Sequence, residues 1–172
     1  MMRIGVLTVS DRSSRGETED RSGPLIAELI KDRLGSDVRG SIVPDEQDQI
    51  ERLLRAWSDD LELDLVLTTG GTGFSPRDVT PEATSAVVHR LAPGFTEAMR
   101  AASLQITPHA MLSRSVAGIR GKTLIINLPG SPKAVQENLE VILPAIPHAV
   151  ELLQQGEGPV KYQHAGQNEH LH

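Results

Sequence analysis

The chain of 172 residues contains no cysteine, which excludes a disulfide framework, a thiolate metal site and a cysteine nucleophile. Aromatic residues make up only 2% of the sequence, so its core must be built from Leu, Ile, Val and Ala. This scarcity also disfavours binding of single-stranded nucleic acid, which uses aromatic side chains as stacking platforms. A formal net charge of −6 is a second argument against a nucleic-acid partner.

The sequence also lacks any apolar run of membrane-spanning length. It opens with Met-Met-Arg and enters a strand directly, without the apolar core of a signal peptide. We therefore expect a cytoplasmic protein with no membrane partner. The length and the 38% hydrophobic content are typical of one globular domain, which we place at residues 1–155. The polar, aperiodic stretch 156–172 is predicted to be a mobile tail.

The most informative stretch runs from an apolar segment, Leu65–Leu67, through the glycine loop Gly70–Gly73 to Thr80. The apolar segment is typical of a strand buried on both faces of a parallel sheet. Glycines, which have no Cβ, let successive backbone N–H groups approach an anion closely. Thr80 followed by Pro81 predicts a helix start with threonine as the N-cap. Together these features predict a phosphate site at the carboxyl end of a parallel sheet.

Glycine-rich turns between a strand and a helix also occur for packing alone, so the loop by itself leaves both interpretations open. It is not a Walker loop, because no Gly-Lys-Ser/Thr follows, and it is not the Gly-x-Gly-x-x-Gly dinucleotide fingerprint. Asp78 lies between the loop and the predicted helix. Its carboxylate favours a ligand site, because it can hold a divalent cation beside a phosphate.

Two other strands are predicted to end at the same edge of the sheet. The first, Arg3–Ser10, leads into Asp11 and Arg12, and the last, Thr123–Leu128, leads into Pro129, Gly130 and Ser131. Either turn is an anion site or simply a polar turn, but two such turns converging on one edge are more informative than one alone. Ser131 before Pro132 also predicts a helix N-cap.

The rest of the chain is predicted to alternate between strands and helices. Short strands are expected at Val38–Val43 and Val116–Arg120, the second in a hairpin with Gly121 at its turn. Apolar stripes at helical spacing predict the remaining helices. These are one begun by Ser22 or Gly23 and ended by Gly35, one capped by Asp45, and others at Pro93–Leu104, after Pro132 and at Ile146–Leu153.

The glycine loop and the segment Pro76–Ala83 after it closely resemble the signature of the molybdopterin-binding family, which includes MogA, MoaB and the G domain of gephyrin. Further segments match in the same order, and the resemblance covers nearly all of the chain from Arg3 to Leu153. These segments are Thr8–Arg12, Asp20–Pro24, Val43–Glu46, Ser113–Arg114 and Asn127–Pro132.

The resemblance implies an α/β fold, a three-layer α/β/α sandwich with a mixed, mainly parallel sheet, assembled as a homotrimer. It also implies adenylylation of molybdopterin with Mg²⁺ and ATP, which gives adenylyl-molybdopterin and pyrophosphate late in molybdenum cofactor synthesis. A downstream molybdenum-insertion protein is then an expected partner. The alternative is a MoaB-type protein that binds or carries molybdopterin without strong adenylyltransferase activity.

Carried onto this sequence, the family motifs imply that Asp45 and Asp78 are the catalytic carboxylates and that they hold Mg²⁺. Because the attacking phosphate is already an anion, we expect these carboxylates to position groups rather than to abstract a proton. The substrate- and nucleotide-binding residues implied by the same motifs are Thr8, Ser10, Asp11, Arg12, Gly70, Gly71, Thr72, Gly73, Thr80, Ser113, Arg114, Asn127, Pro129, Gly130 and Ser131.

Overall fold

A computed structural model describes residues 1–155, and the stretch 156–172, predicted to be a tail, lies outside that range. Within it, a mixed sheet of six strands has the order β2-β1-β3-β6-β5-β4. The strands are β1 (Ile4–Val9), β2 (Val38–Val43), β3 (Leu65–Thr69), β4 (Arg90–Leu91), β5 (Ala117–Arg120) and β6 (Thr123–Leu128).

Strands β1, β2, β3 and β6 are parallel and pair nearly in step. Near their carboxyl ends, Val9 pairs with Val43, and Thr69 pairs with both Thr8 and Leu128. The loops that follow these four strands therefore leave the sheet at one edge. Strand β5 runs antiparallel to β6 and therefore begins at this same edge, and β4 pairs antiparallel with β5.

Helices cover both faces of the sheet. The α-helices are α1 (Asp11–Ser14), α2 (Ser22–Leu34), α3 (Gln47–Arg55), α4 (Thr80–Val87), α5 (Pro93–Leu104), α6 (Pro132–Ile142) and α7 (Ile146–Gln154). Helix α3 continues as a π-helical turn, Ala56–Asp60, and 3₁₀ turns lie at Pro108–Leu112 and Leu143–Ala145. None of these helices in residues 1–155 has the length and apolar composition needed to cross a membrane.

Two cores lie on opposite faces of the sheet. The larger joins the sheet to α2, α5, α6 and α7 through buried residues such as Ile26, Met99 and Leu139. The smaller joins it to α3 and α4 and includes Ile50 and Trp57. The predicted three-layer sandwich is therefore confirmed. Its core is aliphatic, as the shortage of aromatic residues requires, with Trp57 as the exception.

Several predicted helix ends are confirmed. Gly35 ends α2 in the left-handed conformation, and the Ser131 side chain caps α6 by accepting from Ala134 N. The start of α2 differs from the prediction, because Arg21 rather than Ser22 or Gly23 occupies the cap position without a capping side-chain bond. The capping oxygen comes instead from Asp20 Oδ1, which accepts from Gly23 N at 3.0 Å.

Gly5 in β1 provides a test of how tightly the smaller core is packed. A methyl group there would lie 2.5 Å from Cε3 of Trp57, whose ring is buried, whereas one at Gly40 in the neighbouring β2 meets nothing within 4 Å. We expect Gly5→Ala to lower the free energy of unfolding by about 1–3 kcal/mol, because the ring must be displaced. Gly40→Ala is the matched control and should leave it unchanged or slightly raised. Urea denaturation measures both, and equal effects would contradict this account.

Candidate functional site

The loops after β1, β2, β3 and β6 meet at the carboxyl edge of the sheet, as the sequence predicts. A cavity of about 530 Å³ opens between the loops after β1, β3 and β6. Its walls include four predicted binding residues, Thr8, Ser10, Gly70 and Gly130. They also include Asp20 and Thr69, which the sequence analysis did not assign.

The glycine loop turns sharply at Gly70 and Gly71, whose φ angles are +95° and +68°. Both the turn and its surroundings require glycine. A side chain at Gly70 would overlap the carbonyl oxygen of Val9, and one at Gly130 would lie 3.4 Å from Gly70 Cα. The ends of β1, β3 and β6 are therefore in close backbone contact beside the cavity.

Thr80 fixes the far side of this turn. Its Oγ1 donates to the Gly70 carbonyl at 2.9 Å, and its N–H donates to the Gly71 carbonyl at 3.1 Å. The prediction that Thr80 caps α4 was wrong, because Val79 occupies the cap position and Thr80 is the first helical residue. Its buried hydroxyl holds the glycine loop and is not presented to the cavity.

Asp45 and Asp11 form a reciprocal pair between the loops after β2 and β1. The Asp11 N–H donates to Asp45 Oδ2 at 2.8 Å, and the Asp45 N–H donates to Asp11 Oδ1 at 3.0 Å. The prediction that Asp45 caps α3 was wrong, because Glu46 lies at the cap position and no side chain caps this helix. Asp45 is held by the neighbouring loop instead, at the edge where the site lies.

Arg77 holds the other side of Asp11. Its Nε and Nη2 donate to the two Asp11 carboxylate oxygens at 3.0 and 2.9 Å, and Nη2 also donates to Glu46 at 2.8 Å. This guanidinium lowers the pKa of Asp11, chiefly through its hydrogen bonds. The hydrogen bonds from Asp11 and Glu46 in turn raise the pKa of Arg77. Asp11, predicted to bind substrate, thus has its carboxylate engaged within the protein.

Burial raises the pKa of Asp45, and the charges of nearby Asp11 and Asp78 raise it further, while the hydrogen bond from the Asp11 backbone opposes the shift. Like charges around a partly desolvated carboxylate are relieved when a cation binds. The free Asp45 oxygen faces the glycine loop, since a methyl group at Gly71 would lie 3.0 Å from Oδ1.

Asp78 lies against the same loop. Its Oδ2 accepts from Ser75 N at 3.0 Å and would lie 3.0 Å from a methyl group at Gly73. The two predicted catalytic carboxylates therefore lie against Gly71 and Gly73 of one loop. Within residues 1–155 no group of three His, Asp or Glu side chains could hold a metal by itself. Two carboxylates beside the glycine loop are a donor set that suits Mg²⁺, which is usually bound by one or two carboxylates and completes its coordination with phosphate oxygens and water.

Arg114 does not point freely at an anion, as the resemblance implied. Its Nε donates to the Gly73 carbonyl and its Nη2 to the Asp78 carbonyl, both at 2.8 Å, while Nη1 pairs with Glu82. The pairing with Arg114 lowers the pKa of Glu82. Arg114 therefore anchors the segment that carries Asp78, and its charge is already matched by a carboxylate.

Asn127 is likewise internal. It is fully buried, its Oδ1 accepts from Val116 N at 3.0 Å, and its Nδ2 donates to the hydroxyls of Thr68 and Thr84 at 2.9 Å each. No polar group of its side chain is left for a substrate. The Asn127 side chain therefore joins β6 to β3, to α4 and to Val116 just before β5, and it lies beneath the site rather than at the cavity.

The other predicted residues are spread around the edge. Arg12 is exposed on α1, and buried Thr72 accepts a bond from Arg114 N through its carbonyl. The Pro129 carbonyl accepts from Thr69 Oγ1 at 2.7 Å. Ser113 lies at a separate cavity of about 200 Å³ between α5 and α6.

Asp20 and Arg77 are the functional candidates that the sequence analysis did not assign. Asp20 accepts from Thr8 Oγ1 at 2.7 Å as well as capping α2, so it orients a hydroxyl at the cavity. Its position three residues before Gly23, at the start of an apolar helical stripe, is a detectable capping signal. The corresponding signal for Arg77 is that a cationic residue lies between the glycine loop and the predicted helix.

Comparison with known proteins places this site in a family context. Residues 5–148 match the family model described as "Probable molybdopterin binding domain". Over 154 residues the chain is 51% identical to molybdopterin adenylyltransferase of Helicobacter pylori strain J99, covering 88% of each protein. Over 160 residues it is 52% identical to gephyrin of Dictyostelium discoideum, covering 87% of this chain but only 22% of that longer protein.

A solved structure shares the fold. The molybdopterin biosynthesis enzyme MoaB from Thermus thermophilus superposes with a TM-score of 0.83 at 49% sequence identity. The match covers 91% of this chain and 98% of that one. The similarity therefore extends over the whole sheet and all the loops that form the site.

Alanine variants of Gly71 and Gly121 together separate the effect of backbone conformation on stability from the effect of crowding at the site. Both have positive φ, so alanine strains either backbone by about 1–2 kcal/mol. A methyl group at Gly71 would also meet Thr80 Oγ1 and Asp45 Oδ1, whereas one at Gly121 meets nothing. We expect Gly71→Ala to lower the free energy of unfolding by about 1–3 kcal/mol more than Gly121→Ala. Urea denaturation measures the difference, and equal losses would argue against a crowded loop.

Proposed function

The chain belongs to the molybdopterin-binding domain family, and from this premise we propose that it is a molybdopterin adenylyltransferase. In this reaction the terminal phosphate of molybdopterin attacks the α-phosphorus of ATP. A phosphorus–oxygen bond forms there, the bond to the β-phosphate breaks, and pyrophosphate leaves. The products are adenylyl-molybdopterin and pyrophosphate, and the reaction belongs to molybdenum cofactor synthesis.

The observation that carries this proposal is the pair of carboxylates, Asp45 and Asp78, against one glycine loop at the edge of a parallel sheet. Transfer between two phosphate groups requires that negative charge be neutralised and that the attacking oxygen be held in line. Both needs are served by a loop rich in N–H groups beside carboxylates that bind a cation.

Asp45 and Asp78 would hold Mg²⁺, which would supply positive charge to neutralise the triphosphate. In the glycine loop the Gly70 N–H already donates to the Leu128 carbonyl at 3.4 Å, so we propose that the backbone N–H groups of Gly71, Thr72 and Gly73 hold phosphate oxygens. Neither carboxylate is needed as a proton acceptor, because the attacking phosphate is already ionised. The pKa of Asp45 is raised chiefly by burial and further by the charges of Asp11 and Asp78, which agrees with the proposed binding of a cation there.

The walls of the larger cavity supply the remaining contacts. Thr8 and Ser10 present hydroxyl groups there, and Gly130 leaves backbone accessible at its rim. Arg12, Pro129 and Ser131 lie at the same edge of the sheet and complete the proposed binding surface, as does Ser113 at the neighbouring smaller cavity.

We further propose that the chain assembles as a homotrimer. Support comes from a cluster of exposed apolar residues in and just before the 3₁₀ turn Pro108–Leu112. Ile106 and Met111 are 56% and 64% exposed, and Leu112 is also exposed. An apolar cluster of this kind marks an interaction surface. Size-exclusion chromatography with light scattering would report the mass of three chains.

The product is proposed to pass to a protein that inserts molybdenum. The match to gephyrin supports such a link. This chain corresponds to 22% of that longer protein, whose remaining length leaves room for a further step. The alternative is a MoaB-type carrier without strong transferase activity. The names of the curated relatives favour the transferase.

Pyrophosphate release from ATP in the presence of Mg²⁺, with and without molybdopterin, tests the function directly. We expect release that depends on the pterin, together with adenylyl-molybdopterin detected by mass spectrometry. Tight binding of the pterin without release would instead support the carrier function. Neither binding nor release would overturn the proposed function.

Asp78→Asn tests the role of the second carboxylate. The amide keeps the size of the side chain but loses its charge, so we expect turnover to fall on the order of 100-fold or more while the fold is preserved. Asp37→Asn is the matched control, because Asp37 is exposed in the turn between α2 and β2 and pairs only with Lys31. Near-normal turnover in the Asp78 variant would remove this residue from the catalytic set.

A further inference from the structure

We propose that Arg77 and Asp11 act together as positioning residues for Asp45. This inference rests on the proposed function, since it gives Asp45 its catalytic role. In this arrangement Arg77 orients Asp11, and Asp11 orients the Asp45 carboxylate toward the glycine loop. Neither Arg77 nor Asp11 needs to touch the substrate.

The first step is the support given to Asp45. Among the residues that the structure describes, the Asp11 N–H is the only hydrogen-bond donor to its carboxylate. That single bond engages Oδ2 and leaves Oδ1 directed at Gly71. If the loop that carries Asp11 shifts, nothing else in the described chain holds the orientation of this carboxylate.

The second step is the support given to Asp11. Its two carboxylate oxygens are occupied by Nε and Nη2 of Arg77, and Oδ1 also accepts from the Asp45 backbone. A guanidinium that donates two parallel bonds to one carboxylate fixes both its position and the rotation of its plane. Asp11 is thereby held between the loop after β2 and the segment after β3.

The third step is that Arg77 joins three segments distant in sequence. It lies after the glycine loop, Asp11 follows β1, and its other partner, Glu46, follows β2. Asp45 and Glu46 are adjacent, so Arg77 restrains the Asp45 backbone from one side while Asp11 restrains it from the other. Groups that hold a metal-binding carboxylate in this way are needed for its affinity and activity.

A direct contact between Arg77 and phosphate is the competing explanation. The Arg77 side chain is 54% exposed, and its Nη1 makes no hydrogen bond within residues 1–155. The two roles differ in what they require. Positioning needs the planar, two-pronged guanidinium, whereas a contact with phosphate is also satisfied by the point charge of lysine.

The variants for the test are Arg77→Ala, Arg77→Lys, Asp11→Asn and the double variant Arg77→Ala/Asp11→Asn. Arg15→Ala is the matched control, because the Arg15 side chain makes the same kind of two-bond pair, with Glu17 on the loop after β1, and no hydrogen bond to Asp11 or Asp45 among the described residues. Circular dichroism and thermal unfolding establish that each variant is folded.

Steady-state kinetics of pyrophosphate release provide the first readout. We expect kcat to fall about 10–100-fold in Arg77→Ala, because partners of metal ligands typically have effects of that size. Arg77→Lys should not restore it, and the double variant should lose no more than the stronger single variant, since both residues act through Asp45. Arg15→Ala should match the wild type. Recovery in Arg77→Lys, or additive losses in the double variant, would overturn the positioning role.

Binding provides a second readout that does not depend on turnover. Isothermal titration calorimetry with α,β-methylene-ATP, which cannot transfer its adenylyl group, is performed with and without Mg²⁺. We expect Arg77→Ala to weaken the Mg²⁺-dependent part of the affinity about 10-fold or more and to leave the affinity without Mg²⁺ unchanged. A loss of equal size without Mg²⁺ would indicate a direct phosphate contact and contradict the proposal.

The two proposals fail in different ways. If the wild-type protein releases no pyrophosphate with the pterin, the proposed function fails, and the calorimetric comparison alone decides the link from Arg77 to Asp45. If the wild type turns over and Arg77→Ala matches it, the positioning role fails and the proposed function stands.

Discussion

Hydrogen bonding between four parallel strands in one register is the interaction on which the rest of the structure depends. Because β1, β2, β3 and β6 pair nearly in step, their carboxyl ends lie side by side. This strand pairing alone brings together loops that are far apart in sequence. A shift of one residue in a single strand would turn each of its side chains toward the opposite layer of helices and would move its loop away from the others.

Once the loops have met, charge pairs hold them together. Two arginines, Arg77 and Arg114, each join a carboxylate to the segment around the glycine loop, and neither contributes an unmatched charge to the edge. Asp45 forms no salt bridge in the described chain and lies near Asp11 and Asp78, whose charges are only partly offset by that of Arg77. Negative charge is therefore left at the proposed cation site, while the surrounding loops are joined by charge pairs.

Much of this was predictable from sequence because it depends on local patterns. Apolar runs predicted the central strands, and Gly35 and Ser131 predicted helix ends that the structure confirms. Sequence was less informative for residues whose side chains bond to groups far away along the chain. Arg114 looks like an anion-binding residue until Glu82 and the Gly73 carbonyl are seen beside it. Asn127 lies in a site motif, yet it points into the sheet, where its bonds to Thr68, Thr84 and Val116 cannot be inferred from spacing.

The strand order also has a consequence for how the chain folds during its synthesis. Strand β6 lies between β3 and β5, although it is the last strand made, and residues 65–69 of β3 pair with residues 124–128. Until β6 emerges from the ribosome, the hydrogen-bonding edge of the fully buried β3 has no partner on that side. Such an unpaired apolar edge is prone to aggregation. The nascent chain therefore passes through a long interval in which this edge is unpaired, and the site forms only at the end of that interval.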